Sequence, residues 1–237
     1  MSAFPAGRLS RLDWAAIACS LDELGFARTQ ALLTQGECTD LRALYADAAR
    51  FRSRVDMARH RFGEGEYKYF AEPLPPVVQE LRVQAYPALA LIANRWETSL
   101  KTRVRYPEDL AGMLALCARR RQKKPTPLLL RYEAGGYNCL HQDIYGEMVF
   151  PIQLTVLLSE PGRDFEGGEF LLVEQRPRAQ SRGSVVHLEQ GEAVIFTTRY
   201  RPVAGARGAY RANMRHGVSR LLSGRRYTLG VIFHNAA

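Results

Sequence analysis

Residues Leu128 to Asp143 read LLLRYEAGGYNCLHQD: a run of β-formers from Leu128 to Glu133, a Gly135-Gly136 turn, and the triplet His141-Gln142-Asp143. On a strand, residues i and i+2 point to the same face. His141 and Asp143 can therefore both reach one metal ion. A second histidine, His216, lies 73 residues beyond Asp143 and can arrive from a facing strand. Two imidazoles and one carboxylate on one side of an ion leave the opposite side open, the facial arrangement suited to non-heme Fe(II) and oxygen chemistry. An H-x-D triplet alone is a weak signal, and its setting between strands and turns gives it weight.

Working outward, the second half of the chain is β-rich. Ile152 to Leu158, Phe170 to Glu174, Val185 to Leu188, Ala193 to Thr197 and Tyr227 to His234 read as short strands, punctuated by Pro161-Gly162, Gly167-Gly168, Gly183, Gly191 and Gly224. Short strands at this spacing predict a sandwich or jelly roll. The first half reads helical. Trp14, Ile17, Leu21 and Leu24 recur at helical period before Gly25, and Thr34-Gln35-Gly36-Glu37 has the form of a capping box. Pro75-Pro76 can open a third helix, bent or broken at Pro87, and Pro107-Glu108-Asp109 a fourth. The expected architecture is α+β: a helical support over 1–126 that includes a candidate recognition loop, and a jelly-roll core over 127–237, integrated as one domain.

Composition excludes other classes. Hydrophobic residues make up 46% and charged residues 24% of 237, which suits a packed core and not a disordered chain. No apolar run reaches membrane-span length and no signal-peptide pattern opens the chain, so a cytoplasmic protein with no membrane partner is expected. Cys19, Cys38, Cys117 and Cys139 have no paired spacing and read as reduced thiols. The net charge is +9, and eight arginines with no acidic residue follow Glu192, among them Arg207 and Arg211. This excess beside His216 suits an anionic partner such as nucleic acid, or else is a solvated basic face. The run Arg119 to Lys124 also tempts a nucleic-acid reading, but cations suit a helix C-terminus.

Arg226 lies ten residues past His216, where the last strand begins. Its guanidinium suits two-point recognition of a carboxylate. The order Arg131-Tyr132 through Tyr137, His141-Gln142-Asp143, Gly167-Gly168-Glu169-Phe170, Arg215 to Ser219 and Gly224 to Tyr227 resembles the 2-oxoglutarate- and Fe(II)-dependent dioxygenases with a double-stranded β-helix. The chain as a whole resembles a bacterial group of such enzymes thought to act on alkylated or damaged DNA. The runs Phe51 to Ser53, Gly63 to Phe70, Pro125 to Pro127, His141 to Phe150 and Glu174 to Arg182 carry that likeness. The resemblance implies Fe(II) held by His141, Asp143 and His216, the distal carboxylate of 2-oxoglutarate held by Arg226 with Tyr132 a further candidate, and O2 as oxidant. It also implies release of succinate and carbon dioxide, and loss of formaldehyde from an oxidised N-methyl group.

One departure stands against the repair reading. Alkylated-DNA-repair dioxygenases carry R-x-N-x-T-x-R after the last histidine, whereas the Gly224-Arg225-Arg226-Tyr227 spacing is closer to prolyl hydroxylases. Protein hydroxylation is therefore the competing activity. A non-catalytic metal-holding jelly roll is a third reading, against which Arg226 argues. Candidate substrate contacts on damaged DNA, single-stranded forms included, are Tyr67 and Tyr69 in the Arg50 to Phe70 segment, Tyr145, Arg178, Arg207 and Arg211. For Arg50 to Phe70, six basic residues interleaved with aromatics can stack bases, or the segment is a loop folded over the core. Tyr145 would share a face with Asp143 and line the pocket, or pack. Arg178 sits in a loop at the mouth, or in solvent. His187 and His234 read as structural histidines.

Overall fold

The computed structural model describes residues 7–144 and 146–237. Helix α1 (Trp14–Leu24) is capped by the Asp13 side chain and ends at Gly25 with φ +82°. Strand β1 (Phe26–Arg28) leads to α2 (Gln35–Ala43), where the Thr34–Glu37 capping box forms. Strands β2 (Phe51–Asp56), β3 (Gly63–Glu64) and β4 (Glu66–Phe70) precede the long helix α3 (Pro76–Ser99) and α4 (Leu110–Arg119), which Asp109 caps. Then follow β5 (Leu128–Glu133), β6 (Tyr137–His141), β7 (Ile152–Leu157), β8 (Phe165–Gly167), β9 (Phe170–Gln175), β10 (Arg182–Val186), β11 (Ala193–Thr197), β12 (Tyr200–Val203), β13 (Tyr210–Val218) and β14 (Leu221–Val231).

Two antiparallel sheets result. The major sheet runs β1-β11-β7-β14-β5-β4-β2, with β8 joined to β14, and the minor sheet runs β10-β9-β13-β6-β3, with β12 joined to β13. Period-2 alternation sorts β7 and β14 into two faces. Ile152, Leu154 and Val156, with Tyr227, Leu229 and Val231, join one core with Leu81, Tyr86, Leu89 and Ala93 of α3. Gln153 and Thr155, with Arg226, Thr228 and Gly230, face the space between the sheets. A sheet covered on both sides needs such strands, and β11 is buried at every position. This is the jelly roll with a helical support that the sequence predicts.

The segment 26–70 differs from the helix-and-loop expectation. It supplies β1, β2 and β4 to the major sheet and β3 to the minor one. Its Arg52, Arg54 and Lys68 lie on strands, and Arg54 pairs with the buried Glu66, as does Arg131 of β5 at 2.7 Å. Helix α3 also runs through Pro87 unbroken. Pro87 removes the bond to the carbonyl of Val83, which sits on the exposed side of the helix, where water can replace the lost donor. No helix among the described residues is long and apolar enough to cross a membrane.

Candidate active site

His141 ends β6 and His216 lies opposite it on β13, as register partners whose rings are 4.2 Å apart between centroids. Simple alternation along β6 would not put both Asn138 and His141 on the inner face, yet both line the cavity. A register shift resolves this: His216 pairs with His141 but Val218 pairs with Asn138, so β6 carries an extra residue there. Gly217 makes the bulge fit, because a Cβ at that position would stand 2.6 Å from the Asn138 carbonyl.

Asp143 follows directly and is buried. Its Oδ1 lies 3.4 Å from His141 Nε2 and its Oδ2 3.3 Å from His216 Nε2. One ligand atom from each of the three residues lies within 4.8 Å of the others, the spacing of a metal-binding group. His141 Nδ1–H donates to the Cys139 carbonyl at 2.8 Å, which leaves the Nε2 lone pair facing the group. The Gln153 amide donates to Asp143 Oδ2 at 2.6 Å and fixes that carboxylate. Burial pulls the His141 imidazole down, but the hydrogen bond and charge of Asp143 outweigh it and the net direction is up. For the fully enclosed His216 burial wins and the direction is down. Burial resists ionisation of Asp143, yet the two histidines hold it well below the usual carboxylate range.

The other end of the same cavity holds Arg226, 3% exposed, register partner of Tyr132. Its guanidinium carbon lies 5.8 Å from the ring centres of both Tyr132 and Phe165. Nε and Nη1 of Arg226 have no hydrogen-bond partner among the described residues, and the buried Tyr132 hydroxyl has Asn138 as its side-chain neighbour. Burial lowers the Arg226 pKa to about 10, so the group is still a cation near neutral pH. Buried donors without partners are costly, and a buried cation more so, unless an anion completes the site. A carboxylate fits this end in charge and donor geometry. Its sequence neighbour Arg225 faces outward and pairs with Glu133 at 3.2 Å.

Of the other candidates, Tyr67 lines the cavity, and Tyr69 stands edge-on to it at 5.4 Å under the Arg52 guanidinium. Arg178 is exposed in the β9–β10 turn with φ +59°. Arg207 is exposed in the β12–β13 turn, and Arg211 lies over the Tyr200 ring on the outer face of β13, opposite to Met214 and His216. These three arginines do not line the cavity. Tyr145 lies outside the described residues. His234 is buried and neutral, held down to about 4 chiefly by burial, and accepts the Phe150 N–H; His187 is exposed. Gln153, Asn138, Thr155 and Thr228 line the cavity without having been singled out from sequence. A signal existed for two of them: Gln153 and Thr155 are the polar members of the otherwise apolar strand Ile152 to Leu157.

Residues 65–236 match the model of a family described as an oxygenase catalysing oxidative methylation of damaged DNA, Oxygenase-NA. An uncharacterised protein of Mycobacterium tuberculosis is 48% identical over 168 residues, 71% of this chain and 72% of its own. Among solved structures, a 2OG-Fe(II) oxygenase family oxidoreductase of Burkholderia pseudomallei superposes with TM-score 0.55 at 17% identity, over 96% of this chain and 94% of that one. A Pseudomonas putida prolyl-4-hydroxylase does so with TM-score 0.54 at 15% identity, over 92% and 96%. These two likenesses concern the fold.

Proposed function

Because this chain belongs to the Oxygenase-NA family, and is thus an oxygenase, we propose that it uses Fe(II), 2-oxoglutarate and O2 to oxidise alkylated or otherwise damaged nucleic acid. The observation that carries the cofactor assignment is the uncommitted, buried Arg226 in the same cavity as the His141–Asp143–His216 group. A metal-storage site has no use for a buried cation at the far end of its cavity.

In this reading His141, Asp143 and His216 hold the iron, and Arg226 with the Tyr132 hydroxyl holds the distal carboxylate of 2-oxoglutarate. When bound, iron and 2-oxoglutarate supply O2-driven hydroxylation of a substrate C–H, with succinate and carbon dioxide as co-products. The protein's own part is orientation and exclusion of water. Gln153 holds Asp143 in a fixed rotamer, the Cys139 carbonyl sets the tautomer of His141, and Thr228, Phe170 and Leu130 close the walls. Tyr67 stands on the wall of the same cavity.

The family description and the arginine excess after Glu192 support nucleic acid as the substrate. The competing reading, hydroxylation of a protein side chain, is favoured by one observation, the ten-residue interval between His216 and Arg226. One experiment separates them. Purified protein with Fe(II) and 2-oxoglutarate is given alkylated oligonucleotides or proline-containing peptides, and succinate is measured together with the modified substrate. Coupled turnover on an alkylated oligonucleotide is expected. Coupled turnover on peptides alone would replace the nucleic-acid reading.

A further inference from the structure

We propose that the loop between β2 and β3 is a stacking platform for an unpaired base, placed at the mouth of the cavity. The proposal rests on the nucleic-acid reading above and names the part of the molecule that grips the strand.

The loop is pinned at every end. Met57 is fully buried in the inner core, and its N–H donates to the Gly65 carbonyl at 3.0 Å. The Phe62 N–H donates to the Met57 carbonyl at 3.0 Å, and the Cys139 N–H donates to the Phe62 carbonyl at 2.8 Å. The last bond ties the loop to β6 two residues before His141. Gly63, at φ +137°, allows the approach, since a Cβ there would stand 2.3 Å from the Tyr137 carbonyl. The turn closes through Arg61 at φ +59°.

A loop held this firmly could bury its aromatic residue, yet Phe62 is 48% exposed. The His60 ring lies against it, 5.3 Å between centroids and 22° from parallel. Leu140 and Ile144, which flank the His141–Asp143 segment, are also exposed at 43% and 45%. Apolar surface fixed in water at a site's rim marks a contact surface. Its charge points to the partner: Arg59 and Arg61, both exposed, flank the His60 ring along the chain. The acids nearby are Asp56, engaged with Arg59 at 3.4 Å, and Glu64 on β3. An exposed, rigid π-face bordered by guanidinium groups fits a base with its phosphates. A reacting base must leave the stack to enter the cavity, and the platform takes the face of a neighbour so exposed.

The test uses the full chain and a fluorescein-labelled single-stranded oligonucleotide, read by anisotropy, with a duplex as a second arm. Phe62→Ala should weaken single-strand binding about tenfold, with less effect on duplex. Phe62→Trp should keep the affinity, and its added fluorescence should fall on binding. On an abasic oligonucleotide wild type and Phe62→Ala should bind alike. Equal affinity of Phe62→Ala and wild type for the base-bearing strand would overturn the platform, as would an equal loss on the abasic strand. Absence of wild-type binding to any oligonucleotide at low salt would instead overturn the nucleic-acid reading, and the platform with it.

Discussion

Replacing Arg226 by Ala should weaken 2-oxoglutarate binding by about 2–5 kcal/mol, the cost of losing one partner of a buried charge pair. Arg225→Ala should change it little, because Arg225 sits on the outer face against Glu133. Isothermal titration of both variants with 2-oxoglutarate checks this, and equal losses would remove Arg226 from the role proposed for it. A second outcome follows from His141. Its imidazole binds a proton more readily than usual, held by Asp143, and a metal must displace that proton. Metal affinity should therefore fall as pH drops through a value above the ordinary imidazole range. A titration of Co(II) binding against pH checks the sign. The roles proposed for these residues rest on signals plain in the sequence: the i, i+2 spacing of His141 and Asp143, and Arg226 just ahead of the apolar run that ends β14, although β14 itself begins earlier, at Leu221. Gln153 escaped notice because one amide in a strand says nothing until the strand's two faces are known.

Among the elements, β6 and β13 form the joint on which the site turns. Gly217→Ala would push a methyl into the Asn138 carbonyl and part the two strands where they carry His141 and His216. The expected outcome is a large loss of metal affinity with a smaller loss of stability, measured by metal titration and urea unfolding. Helix α3 is joined to the end of β14 by Arg82, which is 1% exposed and donates to the carbonyls of Ile232 and His234 and to Asn235 Oδ1. Arg82→Ala should cost about 3–5 kcal/mol in urea unfolding, since several buried acceptors lose their donor. Three of the strands that sequence reading overlooked, β2, β4 and β13, share a cause. In β2 and β4 Arg52, Arg54, Glu66 and Lys68 interrupt the apolar pattern, and in β13 Arg211, Asn213 and Arg215 alternate with Ala212 and Met214. Such alternation is the mark of a strand with one wet face, but arginine density made it read as a charge cluster. The bulge in β6 leaves no mark in composition, because it arises from contact with β13.

Over the whole molecule the cations are spread more widely than the cavity. Arg207 and Arg211 lie on the outer side of the minor sheet, away from the rim. Binding of nucleic acid should weaken steeply with salt as counterions are released. Replacing Arg207 and Arg211 together by Ser should flatten that slope by roughly one to two for a long strand. An oligonucleotide too short to leave the mouth should bind as before. Anisotropy titrations over a range of salt and strand lengths distinguish these outcomes, and an equal effect at every length would place both arginines on the path of the strand at the rim.

The two histidines of the metal group differ in their access to water: the His141 side chain is 34% exposed, that of His216 7%. With a metal held by these residues, His141 would be the ligand nearest water and His216 the most enclosed. The same side borders the Phe62 loop, through the bond from Cys139 to the Phe62 carbonyl. A polymer lying across that rim would act as a stopper. Stripping of bound metal by a chelator should then slow when a strand is bound, and the half-life of the loaded protein would report occupancy of the mouth without any turnover.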